Sequence, residues 1–154
     1  MAKKTKRKLS QARLPMQQQL NLEHEGRYFD LRAMFDRLNA RYFRGRLRGY
    51  KVVWGRRTKR RPKGYFVFGT IQEEDRIIRI NPRLDQPFVP SWFLNYVLYH
   101  EMLHIHHPTK HVNGRRYNHT AAFRRDEQKF AYFDQAEKWI ERNVRNLKKA
   151  AKKR

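Results

Sequence analysis

Between Ser91 and His107 the chain is apolar on almost every side, yet His100, Glu101 and His104 sit in the middle of that run. Trp92, Phe93, Tyr96, Val97, Leu98, Tyr99, Met102, Leu103 and Ile105 leave no polar stripe for a helix to turn toward water. A helix of that kind is buried, so the rest of the fold must wrap around it. Pro90 or Ser91 is the expected start, with Ser91 as a cap, and Pro108 stops it. The wrapping must also accommodate three polar side chains, because burying them without partners would cost roughly a few kcal/mol.

The pattern reads H-E-x-x-H. Residues four apart share one helix face, so His100 and His104 can hold one cation together. Glu101 is rotated off that face, where it reaches a water on the ion rather than the ion itself. This layout points to a zinc hydrolase, most economically a metallopeptidase. A catalytic zinc needs a third protein ligand and an open position. His119 is the first choice, since it opens the last expected helix on the face of Phe123 and Phe130. His111, returned by a short loop, is the second, and a carboxylate from Glu127 or Asp126 remains open. The metzincin spacing fails, because its Gly and third His positions hold His107 and Lys110. His106 and His107 fall on other faces and read as solvated, and His24 as an ordinary surface histidine. The ligand types suit Zn²⁺, with Mn or Co also able to occupy such a site.

The absence of cysteine excludes disulfides and any cysteine zinc ribbon. Against 14 acids stand 37 Lys and Arg, a formal charge of +23, which implies a polyanionic partner, nucleic acid by default. More than half of this surplus lies in two acid-free stretches, so the organisation reads as a basic N-terminal tail 1–20, a domain 21–141 and a basic C-terminal tail 142–154. Arg56, Arg57, Lys59, Arg60, Arg61 and Lys63 form a third basic segment suited to phosphates. Tyr65, Phe66 and Trp54 flank it, and core packing is the first expectation for all three. No apolar stretch reaches the ~20 residues of a membrane span, and no apolar run follows the basic N-terminus as in a secretory signal. An intracellular protein, in the cytoplasm, nucleoid or nucleus, is expected.

Periodicity predicts a helix over 27–43, strands over 50–56, 65–72 and 75–80, with the last two forming a hairpin, and a long final helix from about 118 to 145. Asn113-Gly114 marks a turn in the loop before that helix. The fold class is α+β: an N-terminal helix, a small three-stranded sheet, the buried H-E-x-x-H helix and a long C-terminal helix.

Five segments carry a family likeness. They are Phe35–Phe43, Val53–Arg57, Ile78–Asn81, Val97–His104 and His119–Phe123. Together they resemble the SprT-like family of zinc metallopeptidases, which includes the Spartan-type DNA–protein crosslink proteases, over about residues 27–135. The resemblance implies a zincin-like fold and a third zinc ligand opening an H-G-x-x-F-like segment. Here that histidine is His119, with Thr120 in place of Gly and Phe123 retained. Many relatives add a cysteine zinc ribbon; this chain has no cysteine to build one and so resembles a minimal catalytic domain.

The expected function is a zinc-dependent endopeptidase acting on DNA-bound or DNA-crosslinked proteins, with Glu101 as general base. Tyr117 is a candidate oxyanion donor, although loop packing is its first expectation. The alternatives are a nucleic-acid- or ribosome-associated binding protein with a metal site and little catalysis, and a general peptidase whose charge serves solubility alone.

Overall fold

In the computed structural model, which describes residues 23–149, the chain runs α1 (Leu31–Phe43), β1 (Lys51–Trp54), β2 (Gly69–Gln72), β3 (Ile77–Ile80), a 3-10 turn (Pro82–Leu84), α2 (Ser91–His106), β4 (Lys110–Val112), β5 (Arg115–Tyr117), α3 (Ala121–Glu127) and α4 (Phe133–Lys149). The basic tail 1–20 and residues 150–154 lie outside the described residues. The expected α+β class holds, with helices packed around small sheets. No helix among the described residues is long and apolar enough to cross a membrane.

α2 is the buried centre. Phe93, Leu94, Leu98 and Met102 are fully enclosed, and the core they form takes in Leu31 and Phe35 of α1, Ile78 and Ile80 of β3, and Phe123 of α3. The sheet has the order β1-β3-β2. β2 and β3 form the expected hairpin, with Gly69 opposite Ile80 and Gln72 opposite Ile77. β1 pairs parallel to β3, so among the described residues β2 is an edge strand with one side free of partners.

Several boundaries differ from the periodicity. α1 starts at Leu31 rather than 27, because the Asp30 side chain caps it by accepting from the backbone N–H of Arg32 and Ala33. β2 starts at Gly69 rather than 65. The preceding stretch is held out of the ladder by Asn81, whose side chain donates to Val67 O at 2.8 Å and whose N–H donates to Phe68 O. The single final helix is replaced by two helices, and the loop before it, with its expected turn, is a hairpin. β4 and β5 turn at Asn113 (φ 51°) and Gly114 (φ 74°), left-handed positions that an Asn-Gly pair adopts readily. α3 and α4 are then separated at 128–132, where Phe130 enters the core against Tyr99 (centroids 5.2 Å) and Tyr96 (5.8 Å). α4 continues to Lys149, so the stretch 142–149, expected as tail, is helical.

Two buried charges tie the periphery to this core. Asp85, 3% exposed, accepts from the backbone N–H of Arg27 (2.6 Å) and Tyr28 (2.9 Å) and from the Arg57 guanidinium (3.3 Å). A side chain at Gly26 would collide with that carboxylate, its Cβ falling 2.7 Å from Asp85. Arg83, 7% exposed, donates to the carbonyls of Leu147 and Lys148 at the end of α4 and to the carbonyl of Arg60. It therefore caps a helix C-terminus, where positive charge is favoured, and fixes the basic loop to it. Replacing Asp85 with Ala strands the two N–H donors of Arg27 and Tyr28, at a cost of roughly 2–4 kcal/mol. In urea unfolding the midpoint of Asp85→Ala is expected to fall while the slope stays that of the wild type.

Candidate metal centre

The polar face of α2 meets one further imidazole. His100 and His104, one turn apart, have ring centroids 5.1 Å apart. His119 arrives from the segment between β5 and α3, with centroids 4.9 Å from His100 and 5.0 Å from His104. It precedes α3 rather than opening it. Thr120 is the N-cap, its hydroxyl accepting from Phe123 N–H at 3.2 Å. That cap fixes where the chain enters the helix, and hence where His119 points. Phe123, fully buried, is the common floor, with its ring 5.0, 4.7 and 4.9 Å from the rings of His100, His104 and His119.

One nitrogen from each of these imidazoles lies within 4.8 Å of the others. The Nε2 atoms of His104 and His119 are 3.3 Å apart. His100 Nδ1 is 2.7 Å from the Glu127 carboxylate, an acceptor that favours a proton on Nδ1 and turns Nε2 away from it. Burial, helped by the neighbouring His100 and His119, pushes the His104 imidazole down to about 4, and burial also pushes His119 down. Both are therefore neutral donors near pH 7. The donor chemistry fits a borderline divalent ion such as zinc.

Glu101 stands apart from this ligand set. It is 6% exposed, and burial pushes its carboxyl up to about 7, partly opposed by the charge of His100. The edge strand closes over it: a Cβ on Gly69 would fall 3.0 Å from Glu101 Cγ and 3.1 Å from its Oε1. A side chain at position 69 would crowd that carboxylate, so glycine suits the close approach of β2.

His111 lies exposed in β4, opposite Arg116, and is not part of the three-histidine cluster. Glu127 lies behind His100 rather than beside its ligand nitrogen. Burial pushes its carboxyl up, but the hydrogen bond and charge of His100, together with the Tyr96 hydroxyl, bring it below the usual range. Asp126 pairs with His107 at 2.6 Å and Lys129 at 2.7 Å, so His107 is a half-buried tie between α2 and α3 rather than a solvated residue. His106 is exposed, and with His107 and Asp126 it forms a second, outer cluster. His24 is likewise tied down, 2.8 Å from the Asp30 cap. Tyr117 is exposed rather than packed.

Of the basic loop, Arg56, Arg57, Lys59, Arg60 and Arg61 line a groove of about 1030 Å³ shared with Thr70, Arg79 and Gly69, the residue that backs onto Glu101. Lys63 lies just outside that lining. Phe66 is buried and Trp54 packs against the core as expected, whereas Tyr65 is 99% exposed.

A family model described as the SprT-like family matches residues 31–144. The chain belongs to the SprT-like family. This is a family of metallopeptidase type, and the match takes in α1, the sheet, α2, the His119 segment and most of α4. No curated protein and no solved structure gave a match.

The buried Glu101 has a consequence for stability. Its folded pKa of about 7 lies above its ordinary value of 4.5, so the metal-free protein loses stability as pH rises between the two. His104 acts in the opposite sense: its lowered pKa means that acidification from about 6.5 to 4 destabilises the fold. Glu101→Gln removes the first effect and keeps the second. In chelator-treated protein its stability relative to wild type is expected to grow by about 2–3 kcal/mol from pH 5 to pH 8, read by urea unfolding.

Proposed function

We propose that this SprT-like chain is a zinc-dependent endopeptidase with a zincin-like catalytic core, acting on proteins bound or crosslinked to DNA. One observation carries the reading: three imidazoles from two separate segments converge within 4.8 Å, beside a buried carboxylate that is not among them. A purely structural site has no use for that carboxylate.

His100, His104 and His119 would hold the ion. Zinc in that position supplies Lewis acidity, lowering the pKa of a water and polarising a peptide carbonyl. Glu101 takes the proton of the attacking water and returns it to the leaving amine. A carboxyl raised by burial holds a proton more readily than an exposed one, which suits the return step, and the charge of a bound ion would favour the carboxylate that the first step needs. The free side of β2 offers backbone N–H and C=O groups to an extended substrate, which gives affinity with little sequence preference. Gly69 places that strand directly over Glu101, so a peptide laid along it passes the base.

The polyanion would lie in the groove of Arg56, Arg57, Lys59, Arg60 and Arg61, with Lys63 at its margin. Guanidinium and ammonium groups there read phosphates without regard to sequence, and such binding weakens steeply with salt. A groove that begins at Gly69 brings nucleic acid and peptide to adjoining surfaces, raising the local concentration of DNA-bound substrate.

The test is a cleavage assay on a DNA-bound protein, with and without DNA and a chelator. Chelation should abolish cleavage. Glu101→Gln should keep one zinc per chain and lose roughly 10²–10⁴-fold in rate. A Glu101→Gln protein as active as wild type would defeat the peptidase mechanism. Arg60→Glu with Arg61→Glu should weaken DNA binding and flatten its salt dependence. Cleavage indifferent to DNA would leave a general peptidase instead.

A further inference from the structure

Glu127 sits in the last turn of α3, with its side chain 12% exposed. Its Oε1 receives two contacts from α2: His100 Nδ1 at 2.7 Å, and one turn earlier the Tyr96 hydroxyl at 2.9 Å. Tyr96 also reaches Glu137 Oε1 of α4 at 3.0 Å. A carboxylate on Nδ1 cannot itself ligate an ion held by Nε2, because the two nitrogens face opposite ways across the ring. It can do something else. A neutral imidazole carries one proton, and a carboxylate on Nδ1 keeps it there, leaving Nε2 unprotonated and the ring fixed in rotation.

The same short helix therefore governs two ligands. Its N-cap, Thr120, sets the approach of His119, and its last residue, Glu127, braces His100. Phe123 lies between them as the floor of the three rings.

Resting on the metal-centre reading above, we propose that Glu127 is a positioning residue of that centre: its carboxylate sets the tautomer, orientation and basicity with which His100 presents Nε2, and Tyr96 holds the carboxylate in place. Partners of this kind behind metal-binding histidines govern affinity by 10–100-fold.

The experiment uses the full chain as wild type, Glu127→Gln, Glu127→Ala, Tyr96→Phe and His104→Ala. The readouts are the Zn²⁺ dissociation constant by competition with a chromophoric chelator, the visible spectrum of the Co²⁺-loaded protein, and thermal unfolding. Gln keeps an acceptor oxygen for Nδ1–H and loses the charge, so about 10-fold weaker binding is expected; Ala loses both, for about 100-fold and an altered Co²⁺ spectrum. Tyr96→Phe should weaken binding less than Glu127→Gln. Suppose both Glu127 variants bind Zn²⁺ as wild type does while His104→Ala has lost it. Then Glu127 only packs, the proposal is overturned, and the metal-centre reading stands. If Glu127→Ala fails to fold, wild-type affinity in Glu127→Gln overturns it alone. Wild-type affinity in His104→Ala would instead overturn the metal-centre reading itself.

Discussion

The structure turns on a conflict within α2. Its apolar residues require it to be buried, and burial makes every polar group on it costly. Each of its central polar residues is treated differently. His100 is offset by a carboxylate at 2.7 Å. His104 and His119 are held neutral, with nitrogens facing one another at 3.3 Å. Among the described residues none gives Glu101 a hydrogen bond that lowers its pKa; burial raises it and the charge of His100 opposes. Uncompensated burial of that sort is a cost to folding, and it is also what brings a carboxyl into the range useful for moving protons at neutral pH.

The surrounding elements follow from holding that arrangement. α3 is only a turn or two long and would not persist alone. It is secured at one end by the Thr120 cap, in the middle by Phe123, and at the other end by Asp126 and Glu127. Asp126 grips His107, and its backbone carbonyl accepts from Tyr99 at 2.6 Å. α2 thus touches the end of α3 through Tyr96, Tyr99, His100 and His107. On the opposite side β2 presses Gly69 against Glu101. Between them, a helix end and a strand edge set the walls of the centre.

Features governed by local chemistry were legible in the sequence. The spacing of His100 and His104, the breadth of apolar character from Trp92 to Ile105, the β2–β3 hairpin and the turn at Asn113-Gly114 all depend on neighbours within a few residues, and all are present. His119 was identified from its place before Phe123, and the structure brings it to the other two histidines, as one cap away from a helix rather than its first turn. The break at 128–132 was not legible, because no Gly or Pro marks it. What separates α3 from α4 is the demand of Phe130 for the pocket formed by Tyr42, Tyr96 and Tyr99, a tertiary cause that periodicity cannot report. The parallel pairing of β1 with β3, the Arg83 tie across more than sixty residues and the hold of Glu127 on His100 are of the same kind. A weak signal for Glu127 did exist: an acid in an otherwise aromatic-rich inner face requires a polar partner.

The distribution of acids connects the interior to the basic exterior. Acids are scarce in this chain, 14 against 37 Lys and Arg. Many of them serve the scaffold rather than the surface: Asp30 caps α1, Asp85 receives backbone N–H groups, Asp126 and Glu127 brace α2, and Glu101 is buried. Among the described residues Lys or Arg pairs with a carboxylate at three places, Arg32–Asp36, Arg57–Asp85 and Lys129–Asp126. The positive field outside is therefore scarcely neutralised from within. Arg83 sharpens this, since its three carbonyl bonds draw the Arg60 segment against the end of α4 and hold several like charges around one groove. Holding like charges together costs free energy in the absence of a counter-charge. On the proposed reading a polyanion supplies it, and the groove that receives it ends at the strand lying over Glu101.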